Sequence, residues 1–443
     1  ETFPPASAQG SCNILDRSRE IGIGKRQHSS IFSGKRNHLM VWGMLAPDTV
    51  VSQRRQQNLG LAAAVRHFND RAVPGIGGMW FSMPILWSVL AVSIAEELGV
   101  PALPVGNAVE ARVMLEAIHG PQDSRVRGTR KMLGVEDKSF RNLSRSGTYV
   151  VQPIRMAMVQ PLVALGFVYG SRYGAFRINT AGSELLSLDA MKEPRRLLGE
   201  WARGKQPNGM KEVLKGLSPT GTLPKAVRKL IMARLIGGPD PGAVRRSNLA
   251  RLESGPSAAD LENEIPIQGI EQDHWSDLRA GAAFMDLRDA ALAVLDVLER
   301  HLQKLRDDNK PAHLSGAEAV EVVSKQLLSL RTFANQKGDI IAQGREVSSR
   351  IFVKEILTQP DALLLQKLAE RDSTVISWRK DAITLGPAAG EFQGSFEDTE
   401  EHNPPDGGDF AQQLFRLYNL HCLVTELSGQ PNPGSTTGGA QAA

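Results

Sequence analysis

Cysteine is nearly absent. Cys12 and Cys422 stand near opposite ends of 443 residues, too few for a disulfide framework and with no CxxC pair to hold zinc. That usage fits a reducing compartment and predicts a cytoplasmic protein. Aromatic residues make up only 5% of the chain, so extended platforms for stacking unpaired bases are not expected. Long apolar runs are missing as well. The most apolar stretch, MWFSMPILWSVLAVSIA at 79–95, is shorter than the roughly 20 residues of a membrane span, and Pro84 interrupts it. With Arg71 before it and Glu96-Glu97 after it, it reads as a buried core helix, and no membrane association is expected. Residues 1–11 lack the basic and apolar regions of a secretory signal.

Signatures of catalysis are equally scarce. The nine histidines form no HxxxH or HExxH pair, so no metal or other cofactor is expected. GSRYG at 170–174 puts serine in the wrong position for a nucleophile elbow. HWSDLR at 274–279 groups His274, Ser276 and Asp277, but neighbours that close on a helix point in different directions. Pro239-Asp240 opens no convincing nuclease pattern. The Walker A spacing is also absent, because Arg26 follows Gly24-Lys25 and Arg19 stands where the first glycine belongs. VPGIGGMWF at 73–81 matches no nucleotide fingerprint and reads as a tight turn that lets backbones approach.

What the chain does have is a strong separation of charge. The formal net charge is +4, yet residues 121–251 carry 24 Lys/Arg against 9 Asp/Glu, and residues 252–443 carry 17 against 30. A region at +15 followed by one at −13 points to a polyanionic partner, or to an acidic part that covers a basic one.

The expected fold class is mainly α. Residues 1–38 read as a flexible basic arm in which GKRQH at 24–28 is echoed by GKRNH at 34–38, so that Lys25, Arg26, Lys35 and Arg36 are candidate phosphate contacts. Residues 39–120 read as a helical N-terminal domain. It contains a helix capped by Asp48, the apolar helix ending before Gly99, and a helix over 107–120. Residues 121–251 form a basic domain with a helical extension, and 252–273 a surface linker. Beyond it, Phe284, Leu287, Ala291, Val294, Leu298, Leu302 and Leu305 recur at helical spacing. Val320, Val323, Leu327 and Leu330 repeat the pattern, and VSSRIFVKEIL and DALLLQKLAERDSTVISWRKDAITL add two more helices. Residues 274–428 thus read as an acidic helical bundle whose helices offer a surface for protein partners or for a second copy. Within it, 389–409 reads as a disordered acidic loop and 410–427 as a short helix. Residues 429–443 read as a disordered tail.

The most informative stretch is ALGFVYGSRYGAFRINTAGSELL at 164–186. Ile154, Met158, Leu162 and Leu165 predict a helix over 151–165 that Gly166 ends. FVY and FRI flank a glycine-permitted turn, Asn179 or Thr180 caps the next helix, and DKSFRNLS at 137–144 supplies an earlier helical arm with Ser146-Gly147 in a turn. About residues 126–190 resemble the winged helix-turn-helix superfamily, especially its MarR-like and PadR-like groups. The resemblance rests on Leu162, Leu165-Gly166-Phe167-Val168, the basic wing Gly170 to Ala175, and Ile178-Asn179-Thr180 with Gly182 one residue early. It implies a helix over 151–165 in the major groove of double-stranded DNA and Arg172 reaching the minor groove or the backbone. Pro161, inside that helix, is expected to kink it.

Candidate contacts are Gln152, Arg155 and Gln160 on the helix, Arg141 and Arg145 before it, and Arg172 and Arg177 in or beside the wing. Lys225, Arg228 and Lys229 lie within two turns of a later helix and could share one face. The expectation is a non-catalytic duplex-DNA-binding protein acting within a larger DNA-handling assembly, such as a bacterial genome-maintenance or anti-phage complex. Two rival readings stay open: an interaction scaffold whose winged helix docks a protein, and a nuclease assembled from distant residues.

Overall fold

Apolar spacing in the sequence becomes helix over most of the chain. The computed structural model describes residues 59–121, 123–252, 255–389 and 414–435. Of the described residues 63% are helical, in 17 α-helices and two 3-10 turns, with two small sheets of two and three strands. The mainly α class holds.

Helix Met83–Leu98 lies at the centre. Every residue from Met83 to Ala95 is buried, as an all-round apolar helix requires. Pro84 sits in its first turn, where a missing N–H costs nothing. No helix among the described residues is long and apolar enough to cross a membrane. The following helix spans Ala102–Ala117 rather than starting at 107. Pro104 did not stop it, because it too falls in a first turn whose N–H groups have no partner inside the helix. The glycine-rich turn before the central helix is a packing device: a Cβ on Gly77 (φ +53°) would lie 3.0 Å from the Ala157 carbonyl and 3.1 Å from Pro161.

The basic region differs from expectation in three places. The helix predicted over 151–165 is split into a single 3-10 turn, Ile154–Met156, and a six-residue helix, Val159–Ala164. Pro161 does not kink that helix, because it occupies the helix's first turn. The expected arm at 137–144 shrinks to the one turn Phe140–Leu143, capped by Ser139. The hairpin does form: Val168–Tyr169 pairs antiparallel with Arg177–Ile178, and Asn179 caps helix Thr180–Ser187. Helix Asp189–Ala202 follows and packs on the central helix.

In the acidic region the apolar stripe becomes a 36-residue helix, Gln272–Asp307, packed along Gly316–Gln343 and against Ala62–Ala72. Helices Val347–Thr358 and Asp361–Asp372 complete this layer. The residues after Asp372, read as helix, are instead the hairpin Ile376–Arg379 and Ala382–Leu385, joined by two residues with positive φ, Lys380 (+49°) and Asp381 (+58°). Its β-branched side chains and two-residue turn outweighed helical spacing. Strand His313–Leu314 adds a third member.

The segment 252–273 is no free linker: it holds helix Ala258–Glu262 with a Ser257–Asp260 capping box, and buries Leu261 and Ile270. The charge boundary near 251 is therefore not a packing boundary. The described residues fall in one compact unit, and their buried apolar side chains form one continuous core. The Asp48 cap, the basic arm, the acidic loop and residues 436–443 of the tail lie outside the described residues.

Candidate nucleic-acid interface

Two basic segments are seated on one turn of helix Ala102–Ala117. The first carries Arg141 and Arg145. The buried amide of Asn107 donates to the carbonyls of Leu143 (2.7 Å) and Arg145 (3.2 Å), which fixes this turn to the helix. The second is the hairpin. Its tip folds inward, so that Tyr173 is only 6% exposed and Phe176 fully buried. The Tyr173 ring lies directly over Gly106, where a Cβ would fall 2.6 Å from Cε1. Burial raises the Tyr173 phenol to about 12, although the Ser88 side chain hydrogen-bonds it and pulls the other way. The far end of the hairpin is tied to the central helix, with the Ile178 N–H donating to Glu96 Oε1 at 2.9 Å.

This seating turns some cations outward and others inward. Arg141, Arg145, Arg172 and Arg177 are exposed. The first three make no ion pair among the described residues, while Arg177 donates only to the Phe176 carbonyl, at 3.1 Å. Arg155 faces inward. Its backbone N–H and that of Ile154 donate to Glu110 at 3.2 and 2.7 Å, and its guanidinium reaches the same carboxylate at 3.4 Å. Burial raises the Glu110 pKa, with Arg155 pulling it down. Tyr149, beside Glu110, is held well above the usual phenol range by burial and by that carboxylate. Arg155 is thus a structural ion, not an exposed reader of bases.

Gln160 is exposed but engaged, its amide donating to Asp70 at 2.8 Å. Gln152 is half-buried, and its Oε1 is buried with no hydrogen-bond partner among the described residues. What segment 151–163 does expose is apolar: Val151 at 77%, Met156 at 58% and Val163 at 41%. Lys225 and Lys229 are exposed one turn apart on helix Lys225–Gly237. Arg228 does not join them. Its guanidinium packs against Gly429, after the C-terminal helix Phe415–Ser428. Lys25, Arg26, Lys35 and Arg36 lie outside the described residues.

Sequence reasoning missed several contributors. Lys138 belongs to the first segment, where its carbonyl accepts from Trp201 Nε1 at 3.2 Å, and Phe140 meets Trp201 edge-on. That contact packs helix Asp189–Ala202 against the turn Phe140–Leu143. The segment RRLLGEWARGK at 195–205 is basic, but nothing local indicates which surface it joins.

The catalytic candidates have partners of their own. His274 Nε2 donates to the Ala72 carbonyl (2.8 Å), Ser276 to Gln272 (3.0 Å), and Asp277 pairs with Arg71 (2.8 Å) and Arg245 (2.7 Å). Among the described residues no three His, Cys, Asp or Glu side chains are grouped to hold a metal ion. No family model, curated protein or solved structure matches the chain.

Proposed function

We propose that the chain binds double-stranded DNA through its phosphates, with little reading of base sequence, as a cytoplasmic component of a larger DNA-handling assembly. The observation that supports this reading is the common seat of the two basic segments. Gly106 and Asn107 are consecutive residues of one helix, and each anchors a segment that exposes two arginines. Arginines carried on anchored backbone lose less freedom when they meet phosphate oxygens than arginines on free arms. The order helix, strand, hairpin, strand, helix agrees with the winged-helix resemblance. Weak base readout follows from the engagement of Arg155 with Glu110 and of Gln160 with Asp70.

The test is fluorescence anisotropy on a labelled duplex of about 30 base pairs, titrated across salt. Each phosphate contact contributes about 0.9 to the slope of log K against log salt. Changing Arg141, Arg145, Arg172 and Arg177 to Ala should flatten the slope by up to about 3.6 and weaken different sequences alike. Absence of binding at low salt would refute the reading. A second reading, docking of a protein by the same module, is favoured by the exposed Val151, Met156 and Val163. It predicts a complex that tolerates salt and is lost on M156D.

A further inference from the structure

Beside the hairpin, an open cleft of about 380 Å3 lies between the end of the central helix and helix Asp189–Ala202. Four cations line it, Lys192, Arg195, Arg196 and Arg203, against two carboxylates, Glu97 and Glu200. The lining charge is therefore +2, although Lys192 and Arg196 are also paired at the rim, with Asp189 and Glu193 at 2.7 Å each. Two of the guanidiniums converge on one carboxylate: Arg195 lies 2.8 Å from Glu97 Oε1, and Arg203 lies 3.1 Å from Oε2. Glu97 thus marks where an oxyanion sits between them.

Glu97 is poorly placed for a permanent role. It lies in the last turn of helix Met83–Leu98, where the negative end of the helix dipole disfavours a carboxylate. Arg195 and Arg203 are 41% and 44% exposed, and ion pairs that open to solvent contribute little. A phosphate monoester brings two charges and three acceptor oxygens in place of one charge and two oxygens, and guanidinium forks match its geometry. The cleft also adjoins the surface proposed for DNA. Glu96, next to Glu97, accepts from Ile178 of the hairpin, and Trp201, two residues before Arg203, bonds to the Lys138 carbonyl.

We propose that this cleft binds a phosphate monoester, with Arg195 and Arg203 as its ligands and Glu97 as the internal anion that it displaces. The monoester is the 5′-phosphate of a DNA end or a free nucleotide. The first source rests on the duplex reading above, and the second does not.

The full chain is titrated with a 5′-phosphorylated duplex, the same duplex bearing 5′-hydroxyls, and adenosine monophosphate, with thermal melts confirming that each variant folds. The expected result is about tenfold tighter binding of the phosphorylated end, a preference lost in R195Q/R203Q, which should bind the two duplexes alike. E97Q should tighten the phosphorylated probe, because it removes the competing charge. If neither duplex binds but adenosine monophosphate does, and R195Q/R203Q abolishes that binding, the cleft stands with a free nucleotide as its ligand and the duplex reading falls. If the 5′-phosphate makes no difference and adenosine monophosphate does not bind, the cleft proposal is overturned and the duplex reading is untouched. Weaker binding of the phosphorylated probe by E97Q would also overturn it, since Glu97 would then be a support and not a competitor.

Discussion

Gly106→Ala tests the seating of the hairpin with a change of one methyl group. Gly106 is interior to helix Ala102–Ala117, and there alanine would ordinarily stabilise by about 1 kcal/mol. Here the new Cβ would fall 2.6 Å from Cε1 of Tyr173, 2.8 Å from its hydroxyl oxygen and 3.0 Å from Cζ. The ring cannot simply swing away, because it is 6% exposed and lies 5.3 Å from the buried Phe176 ring. Overpacking of this kind costs about 1–3 kcal/mol, so the net expectation is a loss of about 1 kcal/mol. In a Tyr173→Ala background the obstacle is gone and the sign should reverse, with Gly106→Ala stabilising by about 1 kcal/mol. Tyr173→Ala alone removes a buried ring and should cost about 3 kcal/mol. The assay is urea unfolding of the four proteins of the cycle, compared by midpoint at constant m. If Gly106→Ala stabilises both backgrounds equally, the ring does not sit over that glycine and the common seat of the arginines is lost with it.

Two further outcomes follow from buried charge. Burial, reinforced by Arg245 and Arg71, lowers the His274 pKa from 6.5 to about 4. The neutral ring's stabilisation is complete above about pH 6.5 and is lost as pH falls toward 4, about 3 kcal/mol across that window. His274→Gln should flatten the pH dependence of the melting midpoint there, and an unchanged dependence would contradict the assignment. Glu110→Ala strands the Arg155 charge and two backbone N–H groups, and should cost about 3–5 kcal/mol. Glu110→Leu with Arg155→Met should recover most of that loss in the same urea assay, whereas additive losses would show that the two residues do not act as a pair.

Several elements were legible because their causes are local. Gly166 after Leu165 ended a helix, the short aromatic and β-branched runs around GSRYGA paired as a hairpin, and the stripe from Phe284 to Leu305 became one long helix. The hairpin at 376–385 was missed although its cause is local too, because the helical spacing before it was carried through a two-residue turn.

For the candidate site, composition determined that residues 121–251 are rich in cations, and no fold could change that count. Which cations face solvent is another matter, because it depends on partners far away along the chain. Arg155 is drawn inward by Glu110, 45 residues earlier, and the exposed Gln160 is engaged by Asp70, 90 residues earlier. Arg195 meets Glu97 across 98 residues, and Tyr173 finds its place only because Gly106 has no side chain. Propensity and spacing act over a few residues, whereas burying a charge or seating a ring needs a partner that only tertiary packing brings within reach. The sequence alone determined the central and the long helices, the hairpin at 168–178 and the charge; the tertiary structure decided which arginines remain at the surface.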